Sequence, residues 1–447
     1  MNQFLEKIKS SVEKHRDLMF EAQSKIWDEP ETGFREFKTS KYLEEKFEAL
    51  GYTLTKAGDI PGFYTVIDTQ KEGPEVLILC ELDSLICQNH PDADPETGYV
   101  HACGHSIQSA TMLGIAAALK EDGILDGLCG RIRLCAVPAE ELIEIGYRSE
   151  LKKQGTIKYM GGKTEFLHRG YFDGVDLAFM VHSSVGCFAV TKGSVGCIAK
   201  TAHYKGVAAH AGGRPWFGKN ALYAATSGIT AANSLRETFQ EADIIRFHPI
   251  ITNGGEVVNA IPDLVTLEAF VRGSSYDAMV NANKQINRAL ISGALSVGTN
   301  IEILDFPGYA PLKNDENLIS VTKEAADLII PEENLEIQNV TRSGSTDMGD
   351  LSCIMPVVHP YSAGCEGKVH GADFKLVDPE RALVKSAKLQ ITMLHLLLSD
   401  NARRAKEVIS NFVPTFKSKE EYFAYIEKIY SSGDRIVYSD DKVEIKL

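Results

Sequence analysis

Apolar positions recur at near-helical spacing between residues 3 and 27, where Phe4, Leu5, Ile8, Val12, Leu18 and Ile26 predict a helix. Pro30 and Gly33 end it. A second helix is expected from Phe37 to Leu50, closed by Gly51. The period then changes. Residues 62–68 and 75–80 read as strands, and the second is almost continuously apolar, as a parallel strand buried on both faces must be. The runs 132–137 and 177–181 have the same character, and a helix is expected to open at Cys103 and continue to Leu119. Strands alternating with helices imply an α/β fold, a mostly parallel sheet flanked by helices.

From Gly193 the pattern is different. Strand (195–204), helix (219–238), strands (245–252 and 264–272), helix (275–297) and strand (299–305) follow in the order of a split βαβ unit. This α+β segment has enough apolar faces for its own core, so it is expected to be an inserted domain. The expected division is therefore 1–192 and 307–399 for the main α/β domain, 193–306 for the insertion, and 400–447 for a C-terminal extension with a short helix and one strand. A helix over 379–398 closes the main domain.

At 447 residues two domains are the natural expectation. The net charge of −14, with no basic cluster interleaved with aromatics, argues against nucleic acid as a partner. No apolar run approaches the roughly 20 residues of a membrane span, so no membrane partner is expected. The amphipathic start lacks the pattern of a signal peptide. Nine scattered cysteines, never paired as Cys-x-x-Cys, suit a reducing compartment, and a cytoplasmic location is expected.

The chemistry gathers where apolar strands stop. Asp83 follows one run, Glu140 and Glu141 another, and His182 a third, while Cys103 and His105 stand at the start of a helix. Ligands of open α/β sheets bind at the carboxyl ends of the strands, which is a reason to collect these residues in one cleft. A thiolate, imidazoles and a carboxylate are transition-metal donors. With Glu140 and Glu141 adjacent on a loop, one can bind metal while the other takes the proton of a water molecule and passes it to the leaving amine. Asp83 is placed to orient an imidazole from behind. His370, on a glycine-flanked loop late in the chain, can reach back over the cleft. His210 stands among small residues before Arg214 and could stabilise an oxyanion. Two other readings stay open: a metal-independent cysteine hydrolase with Cys103 as nucleophile, and a non-catalytic binding protein on the same fold. No Gly-x-Ser-x-Gly elbow, Walker-type loop or dinucleotide fingerprint is present.

The segments Glu81–Leu85, His101–His105, Pro138–Glu141, Gly254–Asp263 and the loop around His370 together resemble the aminoacylase/carboxypeptidase-type metallopeptidase family. Within it, the chain resembles the amidohydrolase branch of hippurate hydrolases, auxin-conjugate amidohydrolases and p-aminobenzoyl-glutamate hydrolase. The resemblance implies a di-metal exopeptidase-like catalytic domain with an inserted lid/dimerisation domain. It implies two divalent metal ions, zinc or manganese, with Cys103, His105, Glu141, His182 and His370 at the ligand positions and Glu140 as general acid/base. It further implies that His210 and Asn259 are presented to substrate by the inserted domain of a homodimer. Arg214, Asn259 and Ser345 are candidates for gripping a substrate carboxylate. The expected substrate is a small N-acyl amino acid, an aminobenzoyl-glutamate-like compound or a dipeptide. The chain departs from the branch in Leu142–Arg148, in an apparent insertion reaching Gly161-Gly162-Lys163, and in the tail beyond residue 400. The insertion makes His168 a competitor of His182.

Overall fold

The computed structural model describes residues 2–446. They form two compact units: residues 2–193, 312–341 and 347–419 in the first, and 194–311, 342–346 and 420–446 in the second.

The first unit is built on a six-stranded sheet in the order Thr55–Lys56, Phe63–Asp68, Arg131–Val137, Glu75–Glu81, Leu177–Phe179, Val357–Val358. Arg131–Val137, Glu75–Glu81, Leu177–Phe179 and Val357–Val358 run parallel, while Phe63–Asp68 is antiparallel to its neighbours. All seven residues of Glu75–Glu81 are buried, which explains the unbroken apolar run. Glu81 pairs with Val137, so the polar segments after both strands emerge at one edge. The helix His105–Ala118 is buried along its whole length. Its N-cap, Gly104, has φ +101°, and a Cβ there would lie 2.0 Å from Ser183 Oγ, so this entry to the helix demands glycine.

Three boundaries differ from the sequence reading. The N-terminal helix is two helices, Asn2–Lys14 and Arg16–Trp27, broken at His15, whose imidazole contacts Glu121 at 3.0 Å. The apolar stripe stays on the buried side across the break, so periodicity alone does not reveal it. The closing helix begins with a π-helical stretch, Glu380–Lys385, and continues as Ser386–Asn411 through a kink at Ser399–Ala402. The expected extension is therefore divided: residues 400–419 belong to the first unit and 420–446 to the second.

The second unit holds a four-stranded antiparallel sheet in the order Arg246–Asn253, Leu264–Gly273, Gly196–Lys205, Asn300–Tyr309. Burial alternates along Leu264–Gly273, one face packing on the helices Ala221–Asn233 and Tyr276–Ser296. Both helices carry side-chain caps, Asn220 on Leu222 and Tyr223, and Ser275 on Ala278. The C-terminal segment lies along the outer strand: Ser431 and Asp305 exchange backbone hydrogen bonds of 3.1 and 2.8 Å, and Arg435 N donates to Ile301 O at 2.8 Å. It covers an otherwise open sheet edge. It then forms a hairpin, Ile436–Tyr438 with Val443–Ile445, two strands where one was expected.

Candidate metal centre and its supports

Seven of the residues singled out from the sequence meet at the strand ends of the first unit. Cys103 Sγ lies 3.4 Å from His182 Nε2. His370 Nε2 lies 2.8 Å from Glu141 Oε1. Cys103, His105 and His182 place one donor atom each within 4.8 Å of one another, and so do Cys103, Glu141 and His370. The two groups share the Cys103 sulfur. A third group of the same tightness, Glu81, His105 and Glu140, adjoins them. His168 stands elsewhere, its ring edge-on to Tyr159 at 5.4 Å.

Each donor is aimed by a neighbour. Asp83 is fully buried, and its carboxylate Oδ1 lies 3.1 Å from His105 Nδ1 while Oδ2 accepts from the Glu141 amide at 2.7 Å. The Asp83 carbonyl also accepts from His105 Nδ1 at 2.9 Å. The proton of a neutral His105 therefore sits on Nδ1 and leaves Nε2 as the donor. That Nε2 is buried without a hydrogen-bond partner. His182 Nδ1 faces the Ser183 carbonyl at 2.5 Å, which likewise turns Nε2 toward Cys103. His370 sits at φ +64°, and its amide is tied to Ala102 O at 2.9 Å. Ala139, before the two glutamates, is also left-handed at φ +59° and is held by the Glu36 carboxylate at 2.7 Å. Strained backbone at a site implies that the surroundings over-determine it.

Glu140 and Glu141 are adjacent and both buried, yet they titrate in opposite directions. Burial raises Glu140 well above the usual carboxylate range, and the carboxylates of Glu81 and Glu141 raise it further. Burial also opposes ionisation of Glu141, but His370 and His105 outweigh it and bring the carboxyl down to about 2. Burial and Glu141 push the Cys103 thiol up, while His105 and His182 prevail and bring it to about 6. The arrangement thus brings together a thiol that ionises readily, a carboxylate and imidazoles as candidate donors, beside one carboxyl of raised proton affinity. The orphaned His105 Nε2 and this mixed sulfur, nitrogen and oxygen donor set fit divalent transition metals.

Two supports come from the segment that had no motif. Arg148 is buried, with 1 % of its surface exposed, and its guanidinium donates to the carbonyls of Met160 at 2.6 Å, Ala139 at 3.4 Å and Glu141. It clamps the backbone turn that presents the two glutamates. Lys163 is completely buried between Glu81 and Asp347, with Nζ at 2.5 Å from a carboxylate oxygen of each. Glu81 in turn stands 3.2 Å from His105 Nε2. An arginine or lysine inside a long insertion gives no signal of such a role, because its partners are remote along the chain.

The remaining candidates belong to the second unit. His210 is exposed, and its Nδ1 accepts from the amides of Gly212 at 3.1 Å and Gly213 at 2.8 Å. A neutral His210 therefore carries its proton on Nε2. The Asn259 carbonyl accepts from the Ala211 amide at 2.9 Å, joining the two loops. Arg214 is exposed, and Ser345 Oγ accepts from Arg272 Nη1 at 2.8 Å. These four residues lie outside the donor groups around Cys103.

The profile of Peptidase family M20/M25/M40 matches residues 77–395, which contain every residue of the cluster. The chain belongs to this family. It is a metal-dependent hydrolase of amide bonds, in accord with the resemblance drawn from its motifs. It is 29 % identical over 350 residues to the Xaa-Arg dipeptidase of Mus musculus, covering 75 % of this chain and 74 % of the relative. It is 30 % identical over 273 residues to a p-aminobenzoyl-glutamate hydrolase subunit of Escherichia coli K12, covering 59 % of this chain and 52 % of the relative. Among solved structures, a protein of Bacillus subtilis described as a dinuclear metal binding peptidase from the M20 family superposes with a TM-score of 0.62 at 20 % identity, covering 86 % of this chain and 99 % of that one. The mostly parallel α/β architecture is that of these structures.

Proposed function

We propose that this M20 family member is a two-metal amidohydrolase that cleaves a small N-acyl amino acid, an aminobenzoyl-glutamate-like compound or a dipeptide. The observation that carries this reading is the pair of donor triads sharing Cys103, with Glu140 beside them. Cys103, His105 and His182 would hold one ion, and Cys103, Glu141 and His370 the other. Bound zinc or manganese supplies acidified water and a polarised carbonyl oxygen.

The side chains do the rest. Glu140 accepts the water proton as the water oxygen bonds to the carbonyl carbon, and returns it to the amine nitrogen as the C–N bond breaks. Asp83 and Arg148 fix the imidazole and the turn that aim these groups. His210, with its proton on Nε2, donates to the oxygen of the tetrahedral carbon. Arg214, Asn259 and Ser345 bind the substrate carboxylate. A homodimer through the second unit would present His210 and Asn259, and the relatives' dipeptidase and aminobenzoyl-glutamate activities support the substrate class. The cytoplasmic assignment rests on the scattered free cysteines; among the described residues no helix is long and apolar enough to cross a membrane.

A hydrolysis screen over N-acyl amino acids, aminobenzoyl-glutamate and β-alanyl dipeptides, with zinc and manganese supplied separately, tests the reading. Turnover abolished by a chelator and restored by metal is expected. Chelator-resistant turnover that depends on Cys103 would favour a thiol nucleophile instead.

A further inference from the structure

The C-terminal segment that covers the sheet edge of the second unit also walls a cavity. The space, about 770 Å³, lies between this segment, the helix Tyr276–Ser296 and the sheet, entirely within the second unit. Its volume falls within the roughly 300–1,000 Å³ of small-molecule sites.

The lining has two parts. Ile198, Val280 and Ile429 give it an apolar wall. Lys284 and Arg288, one helical turn apart, contribute cations from the helix, and Lys428 and Arg435 contribute cations from the tail. None of these four has an ion-pair partner among the described residues. The carboxylate in the wall, Asp305, does not balance them. It is paired with the buried Lys200 ammonium and accepts from Asn283 Nδ2 at 2.9 Å, Asn287 Nδ2 at 2.8 Å and Ser431 Oγ at 3.3 Å. The lining therefore carries a net positive charge.

Two polar atoms of the lining residues are unsatisfied. Asn283 is 7 % exposed, and its Oδ1 has no hydrogen-bond partner; Arg435 Nε is buried and equally without one. Of these, the unpaired Arg435 Nε–H is a donor that an acid's oxygen can complete; Asn283 Oδ1 is an acceptor and draws nothing from an ionised carboxylate.

We propose that this cavity binds a small organic carboxylate with an apolar body. Its carboxylate meets Lys284, Arg288, Lys428 and Arg435, and its aryl or acyl portion lies against Ile198, Val280 and Ile429. The apolar wall sets this ligand apart from inorganic phosphate, which needs only the cations. The site is separate from the cluster around Cys103, so it would give the enzyme a second place to sense an acid resembling its substrates or products.

Phenylacetate is a suitable probe, since it has the charge and the aromatic body and no amide bond to cleave. Calorimetric titration of the full-length, metal-loaded protein is expected to show saturable binding. The double variant Lys284→Glu, Arg288→Glu should weaken it at least tenfold, as should replacing the probe with uncharged phenylacetamide. Both positions are exposed, so hydrolytic rate and melting temperature should stay at wild-type values. Should that variant not fold, Lys428→Glu on the facing wall should also weaken binding. Binding undiminished by these variants would locate the ligand elsewhere, and binding of phosphate as tight as phenylacetate would refute the apolar subsite. No saturable binding at all would overturn the proposal outright.

Discussion

The centre around Cys103 and the loop around His210 both present imidazoles, but they hold them differently. His105 is completely buried, locked by Asp83, and backed by the Lys163, Glu81 and Asp347 cluster. His210 stands exposed on a glycine-rich loop, its ring fixed by two backbone amides. The first arrangement suits ligands that must stay in place while metal comes and goes. The second suits a donor that meets a substrate from outside. Burial makes the first region costly to disturb, because removing one partner leaves an uncompensated charge in a low dielectric. The exposed loop can lose its side chain with little effect on the fold.

The most severe test of this contrast is Cys103→Ala. It removes the donor common to both triads, so metal content and turnover should both collapse, seen by elemental analysis and initial rates. Glu140→Gln comes next: the metals should remain while kcat drops by roughly 10²–10⁴-fold, the range of a lost general acid/base. Retained turnover would remove Glu140 from that role.

Lys163→Met probes the support. Glu81 and Asp347 would be left facing each other in the interior, and stability in urea should fall by about 3–5 kcal/mol. An unchanged unfolding midpoint would show that the cluster is not needed to hold the site. His210→Ala is the matched test on the other region. Here kcat should fall by about 10²–10³-fold, with stability within about 0.5 kcal/mol of wild type and metal content unaltered.

The narrowest test is in acid. Burial raises the Asp305 carboxyl, but Lys200 and the amides of Asn287 and Asn283 prevail and hold it below its ordinary value. A carboxyl depressed in the folded state stabilises the protein above its unfolded pKa and loses that contribution as pH falls through the lower folded value. Asp305→Asn should therefore lower stability at neutral pH, where it leaves the buried Lys200 uncompensated, and flatten the acid limb of the stability profile below about pH 4.

Much of this was visible in the chain before folding. The buried strands announce themselves as apolar runs, and the ligand candidates are metal-donor residue types at strand ends, where ligands of α/β sheets bind. Asp83 could be assigned a supporting position because it follows the strand whose end faces the Cys103 loop. Arg148 and Lys163 could not. Arg148 is defined by carbonyl groups, which carry no side-chain identity. Lys163 is defined by Asp347, 184 residues away. The break at His15 was hidden for a related reason: the buried face continues through it. The fate of the tail depended on edge-strand hydrogen bonds at Ile301, Ile303 and Asp305, and backbone pairing of that kind leaves only a weak trace in a short mixed sequence.

Metal stoichiometry tests the proposed two-metal centre most directly. Purified protein, saturated with zinc or manganese and dialysed, is expected to hold two ions per chain, and Cys103→Ala fewer than one. A fully active wild-type enzyme with one ion or none, or a Cys103→Ala variant that keeps both, would contradict a site built around the shared sulfur.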